Sequence, residues 1–390
     1  MSQTDGRDSV NVSIVAVIGC TSYDRVEVQE AVNRGLGLLG GAKAFVQPGE
    51  RILLKPNLLL GRTPERAVNT HPSVFQAVAT AFQAAGAKLS YGDSPGFGRP
   101  QAAAQRAGLL EVARELGIEL ADFTHGETVS FSEGRQNKQF TIARGALSAD
   151  GIVSLPKLKT HGLTRITGAI KNQFGCIPGS LKMEFHARLP RVDLFSQMLV
   201  DLNRFLKPRL FIMDGIVAME GNGPQNGTPC PMNVLLFSRD PVALDATACR
   251  LIGLDPELVP PIQYGIEFEL GTSENISYLG DAIESFVNRE FVVNRSLLST
   301  TGKPGRVNRM ARRFVVPKPF IRAAKCTKCG TCVSVCPLDP KAVEFGGAGQ
   351  TAPPVHDYQR CIRCYCCQEL CPEGAIEVAT PWLGRLIHRR

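Results

Sequence analysis

Nine of the thirteen cysteines fall between Cys326 and Cys371. There the pattern Cys-x2-Cys-x2-Cys-x3-Cys-Pro occurs twice, at Cys326, Cys329, Cys332, Cys336 and Pro337, then at Cys361, Cys364, Cys367, Cys371 and Pro372. Two-residue gaps let the backbone turn and present successive thiolates to one centre, so each triplet can wrap three corners of an iron–sulfur cubane. In this spacing the fourth ligand is the remote cysteine of the other copy. Cys326, Cys329, Cys332 and Cys371 are therefore expected to hold one [4Fe–4S] cluster, and Cys361, Cys364, Cys367 and Cys336 a second. A zinc ribbon also uses Cys-x2-Cys pairs, but zinc takes four ligands per site rather than three and an exchanged fourth. Cys366 has no place in this scheme. Such a module passes single electrons and makes no bonds.

A second constellation is cationic. Lys157, Lys159, His161, Arg165 and Lys171 fall within fifteen positions, among Thr160, Thr164, Thr167, Gly168 and Asn172. Arg offers a bidentate fork and Lys a mobile point charge, which suits a phosphate or carboxylate, and Gly168 would let backbone amides approach an anion. Lys55, Asp93, Lys157, Lys159, Arg165, Asn172 and Asp214 are the expected substrate-binding residues. His161 is the first candidate for proton transfer, since imidazole titrates near neutrality, and Lys171 is its rival. Asp93 and Asp214 sit just past predicted strands, where they would bind a divalent metal with the substrate, orient the lysines, or simply make Asx-type turns. The run Gly221 to Gly227 reads as a flexible lid. Cys20, Cys176, Cys230 and Cys249 are scattered and read as small packing residues.

The elements that must position these groups read as α/β. Over the first 290 or so residues apolar β-type runs alternate with amphipathic helical stretches, the pattern of a largely parallel sheet. Strands are predicted at 12–17, 51–54, 88–91, 151–154, 210–213 and 234–237, and helices at 25–39, 73–84, 101–116 and 193–205. Several of these strands end in polar or glycine-rich residues, and ligands of an open α/β sheet bind beyond the carboxyl ends of strands. Residues 10–293 are expected to form the α/β domain, 294–322 a basic linker and 323–380 a small α+β cluster module.

The spacing of the cysteines resembles that of bacterial two-cluster ferredoxins. The larger region resembles the family called domain of unknown function 362. That likeness rests on Leu53-Leu54-Lys55-Pro56-Asn57-Leu58, Gly92-Asp93-Ser94-Pro95-Gly96, Leu155-Pro156-Lys157-Leu158-Lys159-Thr160-His161, Thr167-Gly168-Ala169-Ile170-Lys171-Asn172-Gln173-Phe174-Gly175, Asp214-Gly215-Ile216 and Asp240-Pro241-Val242-Ala243-Leu244-Asp245. The family name supplies no substrate. Fusion of an electron relay to an enzyme-like domain points to an oxidoreductase that passes electrons through two clusters to a small anionic substrate. The other reading is a non-catalytic electron carrier or maturation factor that docks to another redox protein.

Composition narrows the classes. With 44% hydrophobic and 21% charged residues the chain is globular. The formal charge of +8 is concentrated in late basic strips. These lack the interleaved aromatics of a nucleic-acid stacking surface and suit an acidic electron donor or acceptor protein. No apolar run approaches the roughly 20 residues of a membrane span. The short apolar stretch Val12 to Ile18 is not followed by a signal cleavage site, so a cytoplasmic location is expected. No Gly-x-Gly-x-x-Gly fingerprint follows the first strand, which argues against a tightly bound nicotinamide and leaves room for a flavin.

Overall fold

The computed structural model describes residues 12–179, 181–296, 316–346 and 350–381. In the larger region the strands are β1 (Ser13–Gly19), β2 (Arg51–Pro56), β3 (Lys88–Tyr91), β4 (Glu119–Leu120), the hairpin β5 (Gly126–Ser130) and β6 (Gln139–Ala143), β7 (Gly151–Leu155), β8 (Lys157–His161), β9 (Arg165–Thr167), β10 (Leu210–Glu220), β11 (Thr228–Ser238) and β12 (Ile276–Gly280). The main sheet runs in the order β12-β1-β11-β10-β7-β2-β3-β4. From β10 through β7, β2 and β3 to β4 it is parallel; β11 alone runs against both neighbours. The fold is thus α/β around a mixed, mostly parallel sheet.

Alternation along the strands builds a core on each face. Ala16, Ile18, Ile52, Leu54, Leu210 and Ile212 pack with the helices Arg25–Leu38 and Pro72–Ala84. Val15, Val17, Leu53, Phe211 and Met213 pack with Val192–Leu206 and Pro241–Leu251. The last of these helices was absent from the sequence reading although its signature is plain. Asp240 caps the amides of Val242 and Ala243, and Pro241 opens the first turn. The helix expected over 101–116 is two helices, Pro100–Arg106 and Leu109–Glu115, because Gly108 between them takes φ +75°.

The cationic stretch that follows β7 is itself mostly strand. β8 runs parallel to β10, with Asp214 opposite Lys157, and β9 folds back on β8 with His161 opposite Arg165. Period-two geometry therefore puts Lys157, Lys159 and His161 on one face of β8.

The smaller region holds two antiparallel pairs, β13 (Lys318–Ile321) with β16 (Ile376–Ala379) and β14 (Val343–Glu344) with β15 (Val355–His356). Two short helices, Thr331–Ser334 and Cys366–Glu369, follow its cysteine runs. Most of the expected linker and both basic strips fall on 297–315 and 382–390, outside the described residues. The end of the expected linker is strand β13, because Lys318 to Ile321 pair with residues 376–379.

Candidate functional site

Two buried ion pairs anchor the carboxyl ends of the central strands. Lys55 Nζ, at the end of β2, donates to Asp93 Oδ1 at 2.8 Å and to Asn172 Oδ1 at 3.2 Å. Asp93 also accepts from the amide of Leu58 at 2.7 Å, and Gly175 leaves it room, since a Cβ there would lie 1.7 Å from Asp93 Oδ1. Lys157 Nζ donates to Asp214 Oδ2 at 2.8 Å and to the hydroxyl of Tyr23 at 2.7 Å. Asp214 accepts in addition from Tyr23 Oη at 2.8 Å and the amide of His71 at 2.9 Å. Burial holds Lys157 below its ordinary pKa even though Asp214 opposes the shift, and burial with the Asp214 charge pushes Tyr23 well up.

Lys159 lies between these pairs and has no carboxylate of its own. Its Nζ donates to Asn57 Oδ1 at 2.7 Å and the carbonyl of Val68 at 2.6 Å. Burial, aided by the nearby Lys171 charge, lowers it to about 7. Asn57 Nδ2 passes the chain on to Asn172 Oδ1 at 3.1 Å.

His161 is buried, and its Nδ1 accepts from the amides of Leu163 at 3.0 Å and Thr164 at 3.3 Å. Both donors aim at one nitrogen, so the proton of the neutral ring sits on Nε2. That Nε2 lies 3.4 Å from Glu369 Oε2 of the cluster region, a close electrostatic contact without hydrogen-bond geometry. Burial and the Lys171 charge lower His161 to about 4. Burial pushes the Glu369 carboxyl upward, but Lys171 and His161 together outweigh it and hold the group well below the carboxylate range.

Glu369 closes a cavity of about 70 Å³ between the two regions. Cys366, Glu369 and Leu370 form one wall; Lys171, Lys182 and His186 stand on the other, with Asp93 and Asn172 at the base. Room of that size holds ~5 waters or one small molecule. Lys171 Nζ has only the ring of Phe174 beside it, 5.8 Å from the centroid, and among the described residues it has no hydrogen-bond partner. His186 is buried, stacks on Phe195 at 4.5 Å and leaves Nδ1 without a partner; burial lowers it to about 3. Lys182, lowered to about 8 by burial, donates to the carbonyls of Ser94 and Pro95. His161 also lines a larger cleft of about 440 Å³ with Gly162, Asn222, Tyr365 and Gln368.

Two further cavities lie inside the small region. Cys326, Cys329, Cys332 and Cys371 ring one; Cys336, Cys361, Cys364 and Cys367 ring the other. Among the described residues no three His, Cys, Asp or Glu side chains are gathered so as to hold a single metal ion.

Residues 52–250 match the family described as domain of unknown function (DUF362), and residues 325–375 match a 4Fe-4S dicluster domain. The chain belongs to the DUF362 family. A relative, the thylakoid-associated protein sll1697 of Synechocystis, is 38% identical over 250 residues, which is 64% of this chain and 77% of that protein. Among solved structures, the lactate racemase apoprotein of Thermoanaerobacterium thermosaccharolyticum is 11% identical with a TM-score of 0.41, over 65% of this chain and 59% of that one. A structural-genomics protein from Thermotoga maritima is 11% identical with a TM-score of 0.34, over 60% of each chain. Both structural matches span under two thirds of the matched chains.

Within this DUF362 chain the expected site residues divide sharply. Lys171, a candidate for proton transfer, faces the cavity, and of the expected substrate ligands Asp93 and Asn172 line it. Lys55, Lys157 and Asp214 are taken up by internal ion pairs, so Asp93 and Asp214 each orient a lysine, and Asp214 also accepts from the amide of Ile216 at 3.3 Å in an Asx-type turn. Lys159 is held by Asn57 and Val68. Arg165, at φ +68°, donates to the carbonyls of Asn294 at 2.7 Å and Ser296 at 2.6 Å, which ties down the chain after β12 and leaves no fork for an anion. The amides freed by Gly168 do meet an anion, but it is Asp245, whose carboxylate accepts from Ala169 at 2.6 Å and Ile170 at 3.1 Å. A Cβ at Gly168 would fall 2.1 Å from that carboxylate.

The run 221–227 is a saddle rather than a lid. Gln368 Nε2 donates to Asn222 Oδ1 at 2.8 Å and the carbonyl of Gly223 at 3.1 Å, while Gln225 and Asn226 both donate to the carbonyl of Cys371. Sequence reasoning missed Lys182, His186 and Glu369. Lys182, Glu184 and His186 in an otherwise apolar helical stretch were a weak signal; Glu369 gave none, because only docking brings it to β8.

Proposed function

We propose that this protein is an iron–sulfur oxidoreductase acting on a small anionic substrate in the cavity between Lys171, Lys182, His186 and Glu369. The observation that carries the reading is that one wall of this cavity belongs to the cluster module and the opposite wall to the α/β domain. Two [4Fe–4S] clusters, one in each thiol ring, would supply single electrons there. Each ring has a cysteine directly after a cavity-lining residue, Cys367 after Cys366 and Cys371 after Leu370. Lys171 and Lys182 face Glu369 alone, since Asp93 is neutralised by Lys55, and this leaves the cavity an excess positive charge, which favours a monoanion. Lys171, with no protein partner, binds and orients it; His186 offers its free Nδ1. His161 or Lys171 supplies the proton that reduction of an organic substrate requires.

The partner is an external electron donor or acceptor protein. Cys329 is exposed beside exposed Lys325 and Lys328, so the ring of Cys326, Cys329, Cys332 and Cys371 reaches the surface on a basic patch suited to an acidic carrier. We place the protein in the cytoplasm, where a reducing compartment keeps all thirteen cysteines unpaired. No helix among the described residues is long and apolar enough to cross a membrane.

The test is anaerobic. The reconstituted protein is reduced and its visible cluster absorption followed while fractionated small molecules are added. Reoxidation of the wild type but not of Lys171→Ala by one fraction supports the reading and isolates the substrate. Reoxidation by protein fractions only would move the non-catalytic carrier into first place.

A further inference from the structure

The second thiol ring has an imidazole against it that the cysteine spacing does not account for. His356 Nε2 lies 3.4 Å from Cys367 Sγ, and His356 lines the same cavity as Cys336, Cys361, Cys364 and Cys367. The ring is buried and firmly placed. His356 pairs with Val343 across the β14–β15 hairpin, and its ring stacks on Tyr358 at 13° between planes. Tyr358 is fixed in turn by its hydroxyl, which donates to the carbonyl of Pro319 at 2.9 Å. The same hairpin region supplies a second donor, since the amide of Ala342 points at Cys336 Sγ at 3.4 Å. A cluster-bound Cys367 thiolate carries no proton, so His356 Nε2 must then be the donor, and one hairpin aims two N–H groups at two sulfurs of one ring. At the other ring the side-chain contact to sulfur is a hydroxyl, Thr331 Oγ1 at 3.3 Å from exposed Cys329 Sγ.

We infer that His356 is a positioning residue that raises the reduction potential of the cluster held by Cys336, Cys361, Cys364 and Cys367. Reduction adds one electron from an external donor to the cluster and makes or breaks no bond to the protein. An N–H directed at a ligand sulfur withdraws charge from it and stabilises the more negative, reduced state. The effect is confined to one cluster, because His356 touches one ring. It draws the electron toward the ring whose Cys367 adjoins Cys366 in the wall of the substrate cavity. The inference concerns the cluster alone and stands whether or not that cavity is catalytic.

The test is an anaerobic potentiometric titration of the full-length protein carrying both clusters, read by electron paramagnetic resonance, for the wild type, His356→Leu and His356→Gln. His356→Leu should shift one midpoint to a lower potential and leave the other in place. His356→Gln, which keeps a side-chain N–H, should fall between the two. Unchanged midpoints in His356→Leu, or an equal shift of both, would overturn the inference. Should the leucine variant fail to retain its iron, the wild type labelled with 15N-histidine decides. A histidine nitrogen coupling on one of the two reduced signals supports the contact, and its absence from both rejects it.

Discussion

Glu369 Oε2 stands 3.4 Å from His161 Nε2, joining the cluster module to the strand that carries Lys157 and Lys159. The contact is more than a tether. His161 lines the larger cleft and Glu369 the smaller cavity, so the pair forms the partition between them. Its neighbours Gln368 and Leu370 dock on either side, with Leu370 against Gly96, where a Cβ would come within 2.7 Å of the leucine.

Removing the carboxylate should loosen that partition. With Glu369→Ala, Lys171 loses the charge that faces it and the module loses its contact with His161. The expected result is a lower midpoint of thermal unfolding for the cluster-loaded protein, with faster hydrogen exchange at residues 366–370. A variant as stable and as protected as the wild type would mean that Gln368 and the saddle at 221–227 hold the module unaided.

Lys157 and Lys171 should separate cleanly. Lys157→Met strands Asp214 in the core without a counter-charge, a loss of roughly 3–5 kcal/mol, yet it should leave binding of small anions unchanged because Lys157 does not reach the cavity. Lys171→Ala removes the charge that faces Glu369 and so costs some stability, but unlike Lys157→Met it should weaken anion binding at least tenfold. Thermal unfolding and isothermal calorimetry with formate or acetate as probe read the two effects.

This contrast also shows what the sequence could and could not reveal. The thiol rings were legible because ligand spacing is local, and the strands at 51–54, 88–91 and 151–154 were legible because apolar runs are. The cationic run was legible as unusual, but the sequence does not say which lysine is paired. Asp93 and Asp214 lie 38 and 57 positions from their lysines, and only the assembled sheet sets Asp214 opposite Lys157. The cavity itself needs both regions, so its acidic wall could not be found by reading either alone.

Acid should destabilise the site before the carboxylates titrate. His161 and His186 are lowered to about 4 and about 3, against an ordinary value near 6.5. Between those values the unfolded chain binds protons that the folded one refuses, so stability present above pH ~6.5 falls as the pH drops toward 4. His186→Phe should flatten this slope, as read from unfolding midpoints across pH 7 to 4. An unchanged slope would mean that His186 is protonated in the fold.

The cysteines give the most direct check of the ring assignments. Cys336→Ser and Cys371→Ser each remove one ligand from a different ring, so each should lose one cluster's iron and sulfide and one of the two reduced resonance signals, and the two variants should lose different signals. Cys366→Ser should keep both clusters, because Cys366 lines the substrate cavity rather than either ring. Loss of iron from Cys366→Ser to the same extent as from Cys371→Ser would show that the second ring draws its ligands differently from the spacing rule.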